Sequence, residues 1–233
     1  MMENLRLADI ELYYSKAVDL NSQTILIDGE ESNHIINVMR HKVDDEIFIT
    51  SGEGKIFKCQ ILLVKKKFVQ VKILGEYLFP ERFPNITFCI PKLRSMDRFE
   101  FAIEKCTELG ITNFAFYHAK RAVSKEFNPG RIEKILISAM KQSLLSWLPR
   151  VEYFKSCEFI ASSTIERIVF EQDSVEYFEA EKLDRAKKYF FIFGPEGGLT
   201  EDELNLIEPY NKYKLAENRL RTETAIIKAA SIL

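Results

Sequence analysis

The chain has 233 residues, 46% hydrophobic and 29% charged, the balance of an ordinary globular protein long enough for one large or two small domains with a buried core. No apolar run nears the ~20 residues of a membrane span, the start Met1-Met-Glu-Asn-Leu-Arg6 lacks a signal-peptide core, and four scattered cysteines with three histidines form neither a disulfide framework nor a zinc pattern. A cytoplasmic protein with no membrane partner and no metal is expected, and a formal net charge of −2 restricts any nucleic-acid contact to local patches.

Residues 1–78 read as β-rich. Glu30 to Met39 offers one short helix with Ile35, Ile36, Val38 and Met39 inward. Ile47 to Thr50, then Ser51-Gly-Glu-Gly54, then Phe57 to Val64 is a hairpin with glycine at its turn. Phe68 to Leu74 alternates, with Val69, Val71 and Ile73 on one face, and pairs back after the turn Lys65-Lys-Lys67. This predicts a small barrel with one helix. The candidate basic patches of the whole chain are Arg40-His-Lys42, Lys65-Lys-Lys67, Lys92 with Arg94 and Arg98, and Lys120-Arg121 with Lys125, each with a solvated face as its alternative.

Residues 79–85, Phe79-Pro-Glu-Arg-Phe-Pro-Asn85, have two prolines and no periodicity, and mark a linker. Over 86–233 strands alternate with helices, the pattern of parallel βαβ units. Ile86 to Ile90 is a strand. Asp97 with Glu100 is expected to cap a helix whose Phe99, Ala102, Ile103, Cys106 and Leu109 form one stripe, stopped by Gly110. Phe114 to Tyr117 is a strand, and Arg131 to Trp147 a long amphipathic helix ended before Pro149. Val151 to Phe154, a short helix near Glu158 and a strand at Arg167 to Phe170 follow.

Tyr189-Phe-Phe-Ile-Phe193 is apolar throughout, too short for a buried helix and closed by Gly-Pro, so it reads as a central strand covered on both faces. Thr200 and Glu203 form a capping box, which places Gly194-Pro-Glu-Gly-Gly198 between that strand and a helix N-terminus. Such a loop lets a ligand approach bare backbone. The Walker and dinucleotide patterns are absent, and Glu196 suits hydroxyls or a cation better than phosphate; an ordinary strand-to-helix turn is the alternative. Farther on, Thr222 or Thr224 can cap a helix from Ala225 to Leu233, but that does not account for Arg219, Arg221 and Glu223 crowded at its start. That helix, with Ile226, Ile227, Ala229, Ala230, Ile232 and Leu233, is more apolar than one buried stripe needs.

The Gly194–Gly198 loop followed by Leu220-Arg-Thr-Glu-Thr-Ala225 resembles the RsmE-type family of 16S ribosomal RNA uridine N3-methyltransferases, in the knotted SPOUT superfamily. His34-Ile-Ile-Asn-Val-Met-Arg40, Lys105-Cys-Thr-Glu-Leu-Gly110, Lys120-Arg-Ala-Val-Ser124, and Gln142-Ser143 with Leu148-Pro149 fit in order, so the resemblance covers nearly the whole chain. It implies an α/β fold: a PUA-like β-barrel RNA-binding domain over 1–78, then over 86–233 a SPOUT parallel-sheet domain with a C-terminal trefoil knot. It also implies S-adenosylmethionine as cofactor, 16S ribosomal RNA or the small ribosomal subunit as substrate, and a homodimer.

Carried over residue by residue, Gly194, Pro195, Glu196, Gly197 and Gly198 form one wall of the cofactor pocket. Leu215, Leu220, Arg221 and Thr222 form the other. Arg221 would stabilise the uridine oxyanion, or instead pair with Glu223 to pin the last segment; Glu223 or Glu108 would take the N3 proton, with a purely structural place as the alternative for Glu108. Arg40 and Arg121 are RNA-contact candidates or solvated surface. The chain departs from the family at Ala216, where glycine is usual, and at Leu144-Leu145-Ser146, where a basic residue is usual. A catalytically silent RNA-binding protein on the same scaffold is the competing reading.

Overall fold

The computed structural model describes residues 10–122 and 126–233, so the chain start and Lys125 of one basic patch lie outside the described residues. The chain divides into two compact units. One runs to Glu81 and also takes Ile137–Leu148; the other holds Arg82–Leu136 and Pro149–Leu233.

In the first unit, β1 (Leu12–Tyr14), β2 (Val18–Asp19), β3 (Thr24–Asp28), β4 (Glu46–Thr50), β5 (Lys55–Lys65) and β6 (Phe68–Leu78) form one sheet in the order β1-β4-β5-β6-β3-β2. Among the described residues only β1 and β4 of this sheet pair in parallel. The alternation expected on β4, β5 and β6 puts Ile47, Ile49, Phe57, Cys59, Ile61, Val69, Val71 and Ile73 into one buried core with Ile25 and Ile27 of β3. The two ends of the sheet meet through Ser15, whose N–H donates to Thr50 O at 3.1 Å and whose hydroxyl donates to Leu26 O at 2.7 Å. Lys66 and Lys67 form the exposed turn between β5 and β6, as the alternation requires.

The single helix expected over Glu30 to Met39 is in fact α1 (Gly29–Asn33) followed by a π-helical turn, His34–Val38, in which Met39 N–H donates to His34 O. The wider turn shifts the residues after it out of helical phase. Ile35 stays buried, but Val38 and Met39 are exposed, contrary to the sequence expectation.

The second unit carries β7 (Ile86–Pro91), β8 (Asn113–Tyr117), β9 (Arg150–Phe154), β10 (Glu166–Phe170), β11 (Tyr189–Phe193) and β12 (Asn211–Tyr213). Every pair in the order β12-β10-β11-β7-β8-β9 is parallel. Its helices are α2 (Met96–Glu108), α3 (Pro129–Gln142, ending in the first unit), α4 (Glu158–Ala161), α5 (Glu201–Leu206) and α6 (Thr222–Ser231). All five residues of β11 are buried because both faces are covered. On one face Phe191 and Phe193 pack with Phe88, Phe170 and Phe178, rings 5.1–5.5 Å apart. On the other, Phe190 and Ile192 share a core with Tyr117, Ile160 and Leu199. Each such side chain contributes about 1.5–3 kcal/mol by leaving water.

Two boundaries differ from the sequence expectation. Ser95, not Asp97, caps α2, accepting from Arg98 N–H at 3.4 Å, and Asp97 sits in the first turn, where a negative charge suits the helix dipole. Helix α3 stops at Gln142 rather than Trp147, and Leu144 takes a left-handed backbone at φ 57°. The following residues clasp the first unit's hairpin instead. Gly54 N–H donates to Ser146 O at 2.9 Å, and Trp147 Nε1 donates to Phe79 O at 2.9 Å. Among the described residues no helix is long and apolar enough to cross a membrane.

Candidate active site

The register of β11 leaves a backbone carbonyl to be satisfied at its end. Its pairing with β7 stops at Ile192, and the Tyr117 hydroxyl, fully buried, donates to Phe193 O at 2.6 Å. The chain then turns at once through Gly194-Pro-Glu-Gly-Gly198, where Gly198 N–H donates to Pro195 O at 2.8 Å. Glycine is favoured at two of these positions. Gly198 has φ +70°, and a Cβ on Gly194 would stand 3.2 Å from Gly198 Cα and Leu199 N.

Three groups hold this loop from outside. Arg121 donates from Nη1 to Gly197 O at 2.8 Å and to Leu199 O at 3.4 Å. Arg94 N–H donates to Glu196 Oε1 at 3.1 Å. The capping box read from Thr200 and Glu203 is present in both directions, and the buried Glu203 also accepts from Lys120 N–H at 2.8 Å.

The opposite wall is the segment after β12. Gln172 donates from Nε2 to Ala216 O and Glu217 O at 3.1 and 3.0 Å, and so fixes the loop that carries Leu215. Helix α6 starts at Thr222, not at Ala225. Arg221 occupies its N-cap with no side-chain bond to the helix, so neither threonine caps it as expected.

The two walls enclose a cavity of about 620 Å³, a size suited to a nucleotide-like ligand. Of the residues expected there, Gly194, Pro195, Glu196, Gly198, Leu215, Leu220, Arg221 and Thr222 line it, as does Arg121, while Gly197 and Ala216 do not. Glu108 is outside it, its carboxylate held at 2.7 Å by Lys105, and Arg40 lies in the first unit, exposed and left-handed at φ 59°. Glu223 is also outside the lining, although its neighbour Thr222 belongs to it. Arg121 therefore ties the Gly194–Gly198 loop while its side chain stays exposed. Lys92, read as part of a basic patch, is buried beneath Phe127 and donates to Glu126 O at 3.1 Å, because the end of β7 carries it inward.

The sequence reading also missed residues. Glu171, Gln172 and Asp173 line the cavity just past β10, and the rule that open α/β sheets bind ligands at the carboxyl ends of their strands marks that position. Lys212 bridges Glu171 and Asp173 at 2.8 Å to each; the ammonium holds the Asp173 carboxyl below its ordinary range, and the carboxylates raise the lysine. Arg98 of α2 lines the cavity and approaches Glu223 of α6, Nε to Oε1, at 3.5 Å. The expected Arg221–Glu223 pair is not formed. Among the described residues the side chains of Arg219 and Arg221 have neither an ion pair nor a hydrogen bond, and the buried Oε2 of Glu223 has no hydrogen-bond partner. No three His, Cys, Asp or Glu side chains among them are grouped to hold a metal.

Comparison with known proteins bears on this geometry. A family profile described as the RNA methyltransferase domain matches residues 81–233, and one described as the RNA methyltransferase PUA domain matches residues 27–74. The chain is 30% identical to a ribosomal RNA small subunit methyltransferase E of Bacillus subtilis, over 90% of this chain and 89% of the relative. It is 25% identical to the crystal structure of a protein of that name from Neisseria gonorrhoeae bound to S-adenosyl methionine, with TM-score 0.83 over 95% of both chains. A probable rRNA-methyltransferase from Porphyromonas gingivalis is similar at TM-score 0.84 and 25% identity, again over 95% of each chain. Since the catalytic-domain profile spans well over half of the chain and the Bacillus relative nearly all of it, this protein belongs to the RsmE-type family of RNA methyltransferases.

Proposed function

We propose that this protein methylates N3 of a uridine in the 16S RNA of the small ribosomal subunit, using S-adenosylmethionine. The observation that carries the reading is the cavity itself: a tight glycine loop at Gly194 and an unpaired arginine, Arg221, meet at one site in a chain of this family. The residues present fit the cofactor. Phe193, Pro195, Leu199, Leu215 and Leu220 give an apolar seat for a purine, and the carboxylates of Glu171, Asp173 and Glu196 suit ribose hydroxyls and positive charge rather than phosphate. When bound, S-adenosylmethionine supplies a sulfonium methyl whose C–S electrons stay on sulfur as N3 takes the carbon.

The protein has then to align N3 and help to remove its proton, because the neutral imide nitrogen is a weak nucleophile. Arg221, free of other partners, neutralises the negative charge that spreads onto the uracil oxygens as the proton leaves. Of the two carboxylates considered for the proton, Glu108 is taken by Lys105, and Glu223, outside the cavity lining, faces Arg98 and has its other oxygen buried. The first unit is assigned to RNA, with Arg40 on an exposed loop as a contact, and the second to the cofactor. The trefoil knot belongs to this reading, supported by the meeting of the two loops at one cavity. So do a cytoplasmic site of action, where ribosomal RNA is found, and a homodimer through the second unit, for which the incompletely buried Ile227, Ile232 and Leu233 of the C-terminal segment speak.

The test is Arg221→Ala. A protein that keeps its melting temperature and S-adenosylmethionine affinity but loses about 10²-fold or more in rate supports the role, by analogy with loss of an oxyanion donor. Loss of stability and cofactor affinity with the per-molecule rate retained would refute it. A monomer by light scattering at micromolar concentration would remove the dimer.

A further inference from the structure

Removal of the N3 proton of uracil leaves an anion with two oxygen ends, O2 and O4, one on each side of the nitrogen. A single arginine at the N-cap of α6 can meet only one of them squarely. The cavity holds a second arginine on a different element. Arg98, in the first turns of α2, lines the same cavity as Arg221, with its side chain 43% exposed. Its Nε stands 3.5 Å from Glu223 Oε1 in an ion pair, and Glu223, 8% exposed, is a firm anchor in the first turn of α6. Among the described residues the terminal nitrogens of Arg98 donate no hydrogen bond. A guanidinium held by its Nε keeps its planar pair of terminal N–H groups for another acceptor.

We propose that Arg98 is a second catalytic residue, stabilising one uracil oxygen of the N3 anion while Arg221 stabilises the other. This rests on the uridine N3-methyltransferase reading above. The division of labour follows from charge: the N3 proton leaves to solvent, the electron pair left behind is shared by N3, O2 and O4, and it forms the new N–C bond as the C–S pair stays on sulfur. Two cations at that site lower the cost of that intermediate charge more than one. It also explains why Glu223 engages Arg98 rather than its near neighbour Arg221. The pairing restrains Arg98 and leaves Arg221 open.

The experiment uses the full chain, small-subunit RNA as substrate, and a matched RNA in which 5-fluorouridine replaces uridine. Fluorine withdraws electron density and makes N3–H more acidic, so less help from a cation is needed. Arg98→Ala should keep S-adenosylmethionine affinity by calorimetry within about threefold and lose about 10- to 100-fold in kcat, less than a fully enclosed donor because Arg98 meets solvent. The fluorinated RNA should recover at least fivefold of that loss. Arg98→Lys should remain impaired. Arg98→Gln, closer in shape, carries the same test should Arg98→Ala fail to fold, and should show the same loss and recovery. A kcat within twofold of the parent in either variant, or an equal loss on both RNAs, would overturn the proposal. A parent protein that leaves N3 of uridine unmethylated would overturn the functional reading, and this proposal with it.

Discussion

Arg121→Ala separates two roles for one cation. From the sequence Arg121 is an RNA contact or solvated surface; in the structure its Nη1 holds Gly197 O at 2.8 Å and Leu199 O at 3.4 Å, so it ties the cofactor loop. A charge-assisted bond to a backbone carbonyl is worth about 1.5–3 kcal/mol where water is excluded, and this side chain is exposed, so about 1–2 kcal/mol is the reasonable range. Without the tie, Gly197 and Leu199 are held only by their own turn and by the Thr200 cap. Cofactor binding must then order them, and at 1.4 kcal/mol per tenfold the affinity falls about 5- to 30-fold. Calorimetric titration of S-adenosylmethionine into the parent and the variant measures this directly. Arg121→Lys should recover only part of the loss, because its ammonium ends one bond short of Nη1, the single nitrogen that donates to both carbonyls. Cofactor affinity within twofold of the parent, together with weakened RNA binding, would refute the loop-tie account and restore the RNA-contact reading.

Gly54→Ala should destabilise the first unit by about 2–5 kcal/mol, since the residue has φ +84° and a Cβ would fall 2.5 Å from Trp147 Cζ2; denaturant unfolding checks it, and a loss under 0.5 kcal/mol would mean that the clasp does not form. Glu203→Gln leaves too few acceptors for Lys120 N–H and Thr200 N–H, and should cost about 1–3 kcal/mol in unfolding free energy and loosen the cofactor loop; unchanged stability and affinity would contradict the bracing role. All four cysteines are buried, and burial pushes the Cys59 thiol up to about 12. At pH 8 the native protein should therefore react slowly with a disulfide reagent and show four thiols only after unfolding; a fast native thiol would show that one of these sites is open.

What could be read from the sequence was local. The Tyr189 strand, the glycine loop and the Thr200–Glu203 capping box depend on residues within about a dozen positions of one another, and period, turn and cap signals act over that range. The alternation of β5 and β6 likewise places its own buried face. What escaped depends on distant partners. Leu144 ends α3 early because the first unit takes the next residues, which no helical period records. Arg98 and Glu223 are far apart in sequence, so the nearer Arg221 looked like the natural partner for Glu223, whereas the packing of α2 on α6 selects Arg98. Lys92 follows an apolar strand and looks like an exposed flank, yet the phenylalanine that covers it arrives from after α2. The π-helical turn at His34 rotates Val38 and Met39 outward although the hydrophobic pattern of that segment reads as an ordinary helix.

The measurement that bears most directly on the central claim is nucleoside mass spectrometry of 16S ribosomal RNA, free and in small subunits, after incubation with this protein and S-adenosylmethionine carrying a labelled methyl. The account predicts one labelled N3-methyluridine per RNA, formed without added metal. Label on a ribose, on a ring carbon or on another base, or no label while the protein binds both cofactor and RNA, would contradict it.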